Sequence, residues 1–187
     1  MAFLKGRSSR LWPLLALACL GLVAPGIVRA AADSGATVEA RVKAAFLLSF
    51  VAFVDWPVHA FASEAEPVRI AILGADPFGD ELEQLLHRER VHGRTFEIRR
   101  ITTPVPPPDC HLLFIANSEA PRLERILSAT QGRPILTVSS LPRFVEQGGM
   151  IQFVTQRARI RFRINAEAAG AAGLTLSSKL LRLSEPH

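Results

Sequence analysis

The sequence predicts a three-layer α/β domain: a mixed, largely parallel sheet, flanking helices and a C-terminal antiparallel hairpin. Three observations predict it. Short β-branched or apolar runs alternate with helical segments between Val68 and Val138, the mark of parallel strands joined by crossover helices. Two of those runs, Cys110–Ala116 and Pro134–Val138, are apolar almost throughout, as strands covered on both faces are. The last third then changes character. Gly149–Thr155 and Ala158–Ile164 flank the short link Gln156-Arg157, a hairpin signal. The 187 residues, 49% hydrophobic and 21% charged, suit one folded domain.

The elements follow in order. Thr37 is placed to cap a helix with Glu39 in its first turn. From Val38 to Trp56 apolar residues recur at steps of three and four (Val42, Ala45, Phe46, Ser49, Phe50, Phe53, Val54), which gives one wide apolar face. Pro57 ends the pattern, because the residue before proline is pushed out of the helical region. Val68–Leu73 is a strand, 74–79 a turn, Asp80–His87 a helix, and Thr95–Ile101 an alternating strand. Pro104–Pro108 is a rigid connection to the Cys110–Ala116 strand. Ser118 is placed to cap a helix over Glu119–Ala129, and Leu141–Val145 forms a short helical turn after the Pro134–Val138 strand. After the hairpin, Asn165 caps Ala166–Ala172, Gly173 stops it, and Ser177–Leu183 is a last helical turn or two. The chain contains no internal repeat.

The first thirty residues have the layout of a secretory signal peptide. Lys5, Arg7 and Arg10 form a basic start without acid, Leu11–Val23 is apolar, and small residues follow at Val28-Arg29-Ala30-Ala31. The apolar run is short for a membrane span and contains Pro13, with Pro25 just beyond it. Residues 31–36 form a small-residue tail, which leaves 37–187 as a single domain exported to the periplasm. Export changes the charge argument. The whole chain is +5, but four of its 22 basic residues (Lys5, Arg7, Arg10, Arg29) belong to the leader, which leaves 18 against 17 acidic ones. A net of +1 gives no electrostatic case for nucleic acid as partner. Cys19 also leaves with the leader. Cys110 stays alone, without an intramolecular disulfide partner.

Signals for chemistry are few. Gly74 and Gly79 have the spacing of a P-loop's outer glycines, but Asp80 follows where that loop needs lysine. Gly74, Asp76, Phe78 and Gly79 are either a turn with helix-start chemistry or contacts to a small ligand. In the ligand case the pocket lies at the carboxyl ends of the parallel strands, where this turn and Ala116–Ser118 meet. His87 and His92 do not share a helical face. His111 and Cys110 point to opposite faces of one strand. No metal site, cofactor motif or G-x-S-x-G elbow is present, and no catalytic residue is assigned. Cys110, in an apolar strand, is a buried thiol rather than a nucleophile. In the hairpin, Arg159, Arg161 and Arg163 alternate with Ile160, Phe162 and Ile164, so one face is wet and basic. Two readings stay open for those arginines: a charged edge that discourages strand-to-strand aggregation, or a contact surface for an acidic partner.

The ordered segments resemble the YfiR-like periplasmic proteins. The resemblance is carried by Lys43-Ala44-Ala45-Phe46-Leu47, Phe53-Val54-Asp55-Trp56-Pro57, Ile72-Leu73-Gly74 with Asp76-Pro77-Phe78-Gly79, and Cys110-His111-Leu112-Leu113-Phe114-Ile115. It continues through Pro134-Ile135-Leu136-Thr137-Val138-Ser139, Gly148-Gly149-Met150-Ile151 with Phe153, and Arg161-Phe162-Arg163-Ile164-Asn165. Gly173-Leu174 and Ser177-Ser178-Lys179-Leu180-Leu181 complete it, so that it spans Val38–Leu183. It implies a non-enzymatic periplasmic regulator that binds the periplasmic domain of an inner-membrane signalling protein. In the family's namesake system that protein is a diguanylate cyclase held inactive. An outer-membrane-associated lipoprotein relieves the block, and cyclic di-GMP and biofilm output rise. A small-ligand sensor is the alternative function, and a homodimer is an open assembly state. The resemblance also implies a cysteine facing the Cys110 strand at the place of Ala71; alanine there removes the partner and puts disulfide control in doubt.

Overall fold

A computed structural model describes the backbone of residues 26–102 and 109–186, with side chains from residue 38 onward. The basic and apolar regions of the leader and the Pro104–Pro108 connection lie outside the described residues. The chain divides into two units, residues 1–34 and Gly35–His187, and the sheet, the core and the sites described below belong to the second. No helix among the described residues is long and apolar enough to cross a membrane.

The first helix, α1, spans Gly26–Ala52. It therefore starts before Thr37, and residues 31–36, expected as a tail, have helical backbone; the alanines there are strong helix formers. Its buried stripe is Ala40, Ala44, Leu47, Phe50 and Val51. That stripe keeps the expected period but is rotated, leaving Val42 and Ala45 facing out. The helix also stops earlier than expected. Val54–Asp55 forms a short strand, β1, paired antiparallel with Thr175–Leu176, β8.

The main sheet holds six strands: β2 (Val68–Leu73), β3 (Phe96–Ile101), β4 (Leu112–Ile115), β5 (Leu136–Ser139), β6 (Ile151–Gln156) and β7 (Arg159–Ile164). Their spatial order is β3-β2-β4-β5-β6-β7, parallel throughout except for the β6–β7 hairpin. The interleaved helices are α2 (Glu81–Leu86), α3 (Leu123–Thr130), α4 (Ala166–Ala171) and α5 (Ser178–Leu183). The order fits the expected three-layer α/β sandwich.

Side-chain alternation along the central strands builds two cores. One face carries Ile70, Ile72, Leu112, Phe114, Leu136 and Val138, packed with α1, α2 and the C-terminal elements. The other carries Ala71, Leu73, Leu113, Ile115 and Ile135 against Leu123 and Ile126 of α3 and Phe144. Strands buried on both faces need apolar residues at consecutive positions, which is why β4 and β5 are recognisable as continuous runs. The segment after β5 is a series of turns rather than the helix expected at Leu141–Val145. Gln152, buried in β6, accepts backbone hydrogen bonds from Phe144 (3.0 Å) and Val145 (3.4 Å) and so holds those turns down.

Candidate functional site

Two places combine sequence signals with unusual geometry. The first is the point where the strand order reverses. The chain runs from β2 outward to β3, then back across to β4, so the crevice beyond the carboxyl ends of β2 and β4 is the topological switch point at which open α/β sheets bind ligands. Gly74 follows β2 with φ +91°, and Ala116 follows β4.

The two segments do meet here, and closely. Ser118 does not cap a helix; its Oγ accepts a hydrogen bond from the Ala75 backbone N–H at 2.9 Å. A 3-10 segment over Asn117–Arg122, containing Pro121, takes the place of the expected first helical turns. Glu119 lies 1% exposed behind Ser118. One of its carboxylate oxygens accepts from Arg122 at 2.7 Å, and the other has no partner. A Cβ on Gly74 would lie 2.4 Å from Ser118 Oγ and 2.8 Å from Glu119 Oε1. The chain's own serine and carboxylate thus fill the position nearest the turn.

The remaining candidates of the 74–79 turn are also held internally. Asp76 Oδ1 accepts from the Phe78 N–H at 2.7 Å, an Asx turn, and its Oδ2 accepts from Arg100 Nε at 2.6 Å. Arg100, on the edge strand β3, also donates to the Gly79 carbonyl and to Glu83. Those hydrogen bonds hold Glu83 below the ordinary carboxylate range and raise the guanidinium further. Phe78 is buried edge-on against Phe114, 4.8 Å between centroids. Phe78 and Gly79 border an open groove of about 400 Å³ beside Ala40. A second cavity, about 470 Å³, opens between α3 and α4, with Glu124, Leu127, Thr137, Gln147, Met150 and Ala168 among its lining.

The second place is the hairpin. β6 pairs with β5 only at Val138–Ile151 and Ser139–Gln152, so residues 153–156 and the facing part of β7 extend past the end of β5. The projecting arm is held from one side. Phe153 and Phe162 pack on Phe50 of α1, with centroids 5.6 and 5.0 Å away, and Phe46 joins the cluster. The two-residue turn is Arg157-Ala158, both at positive φ (49° and 59°), one residue beyond the expected link. Such φ values match the twist of a tight hairpin.

The three arginines do alternate on the face away from the aromatic cluster, but their environments differ. Arg159 is exposed and makes no ion pair among the described residues. Arg161 is half-exposed, 3.7 Å from Glu185. Arg163 is the most covered, 3.6 Å from Glu146, with its Nε buried and unpartnered. β7 is the last strand of the sheet. Among the described residues its outer edge is met at one end, where the Glu185 backbone N–H donates to the Phe162 carbonyl at 2.8 Å in a parallel bridge.

Sequence reasoning missed the roles of Glu119, Arg100 and Glu185, all of which arise from tertiary placement. It also missed a hub at the amino ends of β2 and β4. His111 is 2% exposed; its Nδ1 accepts from the Arg69 N–H at 2.9 Å, and its Nε2 lies 3.0 Å from the Ala60 carbonyl. That arrangement requires the neutral ring with its proton on Nε2. Burial, with the nearby Arg69 cation, holds the ring below the ordinary histidine range. Phe61 stacks on it at 4.1 Å, and the Trp56 indole N–H donates to the Pro134 carbonyl at 3.1 Å. Cys110 is buried and unpaired, and burial pushes its thiol up to about 12. The parallel ladder sets Ala71 opposite Leu113, and Ala71 and Cys110 lie in the same core on the α3 face of the sheet; with alanine at 71, Cys110 has no cysteine beside it among the described residues. No group of three or more His, Cys, Asp or Glu able to hold a metal occurs among the described residues.

The class defined by this geometry is an α/β sandwich with a reversing parallel sheet, a switch point filled by its own side chains, and a basic hairpin at one edge. The family model described as YfiR/HmsC-like matches residues 40–185. The chain belongs to that family, in agreement with the resemblance carried by its segments. No protein of curated function matches it at a significant level.

Proposed function

We propose that the chain is a periplasmic, non-enzymatic regulator that binds the periplasmic domain of an inner-membrane signalling protein, represses a diguanylate cyclase there, and so lowers cyclic di-GMP and biofilm output. The observation that carries this reading is the family match over residues 40–185, since the theme of that family is regulation through protein contact rather than catalysis. The leader's three-part layout supports export. The projecting basic hairpin supports a protein partner with an acidic face, because charge across an interface chiefly speeds and orients association. Arg159, Arg161 and Arg163 are the proposed contacts, and an outer-membrane lipoprotein competing for the regulator would release the cyclase.

Capture of the tagged protein's partners from solubilised inner membrane tests the reading. A membrane cyclase is the expected catch, with cyclic di-GMP rising when the chain is deleted. Unchanged cyclic di-GMP and no captured membrane signalling protein would overturn it. A second reading, a periplasmic small-ligand sensor, draws on the cavity of about 470 Å³ between α3 and α4, which is within the usual size of ligand pockets, and on the groove beside Phe78 and Gly79. Gly74 and Asp76 would shape the neighbouring turn in that case. Native mass spectrometry of the protein purified from periplasm separates the two, because a co-purifying metabolite is expected only of the sensor.

A further inference from the structure

The direction of the hydrogen bonds along the hairpin can be worked out from one contact. The Asn165 N–H donates to the Met150 carbonyl at 2.8 Å, which makes residues 150 and 165 a hydrogen-bonded pair. In an antiparallel ladder such pairs alternate with pairs whose N–H and C=O groups point away from each other. The register then makes Gln152–Arg163, Val154–Arg161 and Gln156–Arg159 the bonded pairs. Ile160, Phe162 and Ile164 must therefore turn their main-chain groups outward, to the free edge of β7. The bond from Glu185 N–H to the Phe162 carbonyl confirms the phase. Among the described residues the tail covers the end of the edge near Arg163. Beyond it, the main-chain groups of Ile160 have no strand beside them among the described residues.

We propose that this free edge of β7 is a docking strand for an extended acidic segment of a protein partner, which adds to the sheet through main-chain hydrogen bonds and meets Arg159 and Arg161 with its carboxylates. The proposal rests on the reading of the chain as a regulator of a protein partner, and specifies how that partner is held. The chain's own terminus displays the recognition chemistry. Glu185 lies alongside β7, bonds to it through its backbone, and brings its carboxylate to 3.7 Å from Arg161. An added strand presents every second side chain on one face, and this is the spacing of Arg159 and Arg161. Main-chain pairing supplies affinity and the charges supply selection, as in other cases of strand addition. The competing account is that the arginines only protect the edge from aggregation.

The test is fluorescence anisotropy of the purified protein with a labelled octapeptide of alternating glutamate and valine. Two control peptides are used: one with lysine for glutamate, and one N-methylated at every residue, which keeps the charges and removes the main-chain donors of both strand edges. The acidic peptide should bind, and both controls should bind at least about tenfold more weakly. Ile160→Pro should weaken binding by a similar factor. Its lost N–H points outward, where an edge strand accepts proline, and an unchanged circular dichroism spectrum checks the fold. Arg159→Glu with Arg161→Glu should abolish binding, whereas removing residues 184–187 should strengthen it severalfold. Equal binding of the N-methylated peptide, or no binding of the acidic one, overturns the proposal, and the N-methylated control decides the matter even if Ile160→Pro fails to fold. Membrane capture separates this proposal from the function it rests on. A signalling protein caught equally well by wild type and Ile160→Pro leaves the regulator standing and refutes the edge; peptide binding with no membrane catch does the reverse.

Discussion

Gly74→Ala tests whether the switch point is closed by the chain itself. Three contributions can be worked from the structure. Gly74 sits at φ +91°, and an L side chain in the left-handed region costs about 1–2 kcal/mol. The new Cβ would lie 2.4 Å from Ser118 Oγ, so that the hydroxyl must withdraw from the Ala75 N–H, which removes a hydrogen bond of about 0.5–1.5 kcal/mol. It would also lie 2.8 Å from Glu119 Oε1. That carboxylate is buried and held by Arg122, and disturbing a buried polar contact costs about 1–3 kcal/mol. Together these give about 2.5–6.5 kcal/mol, a large share of the roughly 5–15 kcal/mol that stabilises a typical domain. The melting temperature should fall by roughly 6–21 °C for a chain of this size. Urea denaturation of the single variants and of the double variant with Ser118→Gly separates strain from crowding. Removing the hydroxyl should restore about 1–2 kcal/mol, because residues in contact couple. A single-variant cost below about 1.5 kcal/mol, or a double variant with strictly additive costs, would show that the crevice is open in solution and refute the packing argument.

Three other perturbations have defined outcomes. His111 is held neutral in the fold, below its ordinary range, so the unfolded chain binds more protons as the pH drops. Stability should therefore be fully present above about pH 6.5 and decline below it, and in urea melts across pH 5–7.5 this slope should flatten for His111→Gln. Cys110, with its thiol raised to about 12 by burial, should resist iodoacetamide at neutral pH in the native protein and react readily in urea; rapid native labelling would place it at the surface. Trp56→Ala should cost about 3 kcal/mol through lost aromatic packing and the lost bond to the Pro134 carbonyl, and an unchanged melting temperature would mean that the ring contributes to a surface contact instead.

The fold class was legible because the central strands must be apolar on both faces. Ile70–Leu73, Leu112–Ile115 and Leu136–Val138 supply both cores at once, and no surface helix has that pattern. The departures occur where a distant partner overrides a local signal. Val54 and Asp55 continue the helical pattern of α1, yet pair with Leu176 and Thr175, far along the chain. Ser118 has the right identity for a helix cap, but the Ala75 N–H across the crevice claims its hydroxyl. The hairpin turn moved by one residue because neither Arg157 nor Ala158 carries the Asn-Gly chemistry that usually marks positive φ. In the candidate site, the alternation of Arg159, Arg161 and Arg163 was visible in the sequence. Their inequality was not, because it depends on Glu146 and Glu185 arriving from other elements.

The two places considered for function differ in what their side chains leave available. At the switch point, Gly74, Ser118, Asp76 and Phe78 spend their contacts on one another, on Arg100 and on the core. A ligand entering there would have to displace a buried carboxylate already paired with Arg122, and moving such a group without replacing its partner is unfavourable. At the hairpin the balance is reversed. Its apolar face is packed on α1 through four phenylalanines, while its other face keeps exposed cations and, among the described residues, its edge keeps main-chain groups without a strand beside them. A preorganised edge of this kind loses little freedom on binding, which favours association. These observations are what favour β7 as the proposed partner surface, and the contacts of Gly74, Asp76, Phe78 and Ser118 hold β2, β4 and the 74–79 turn together.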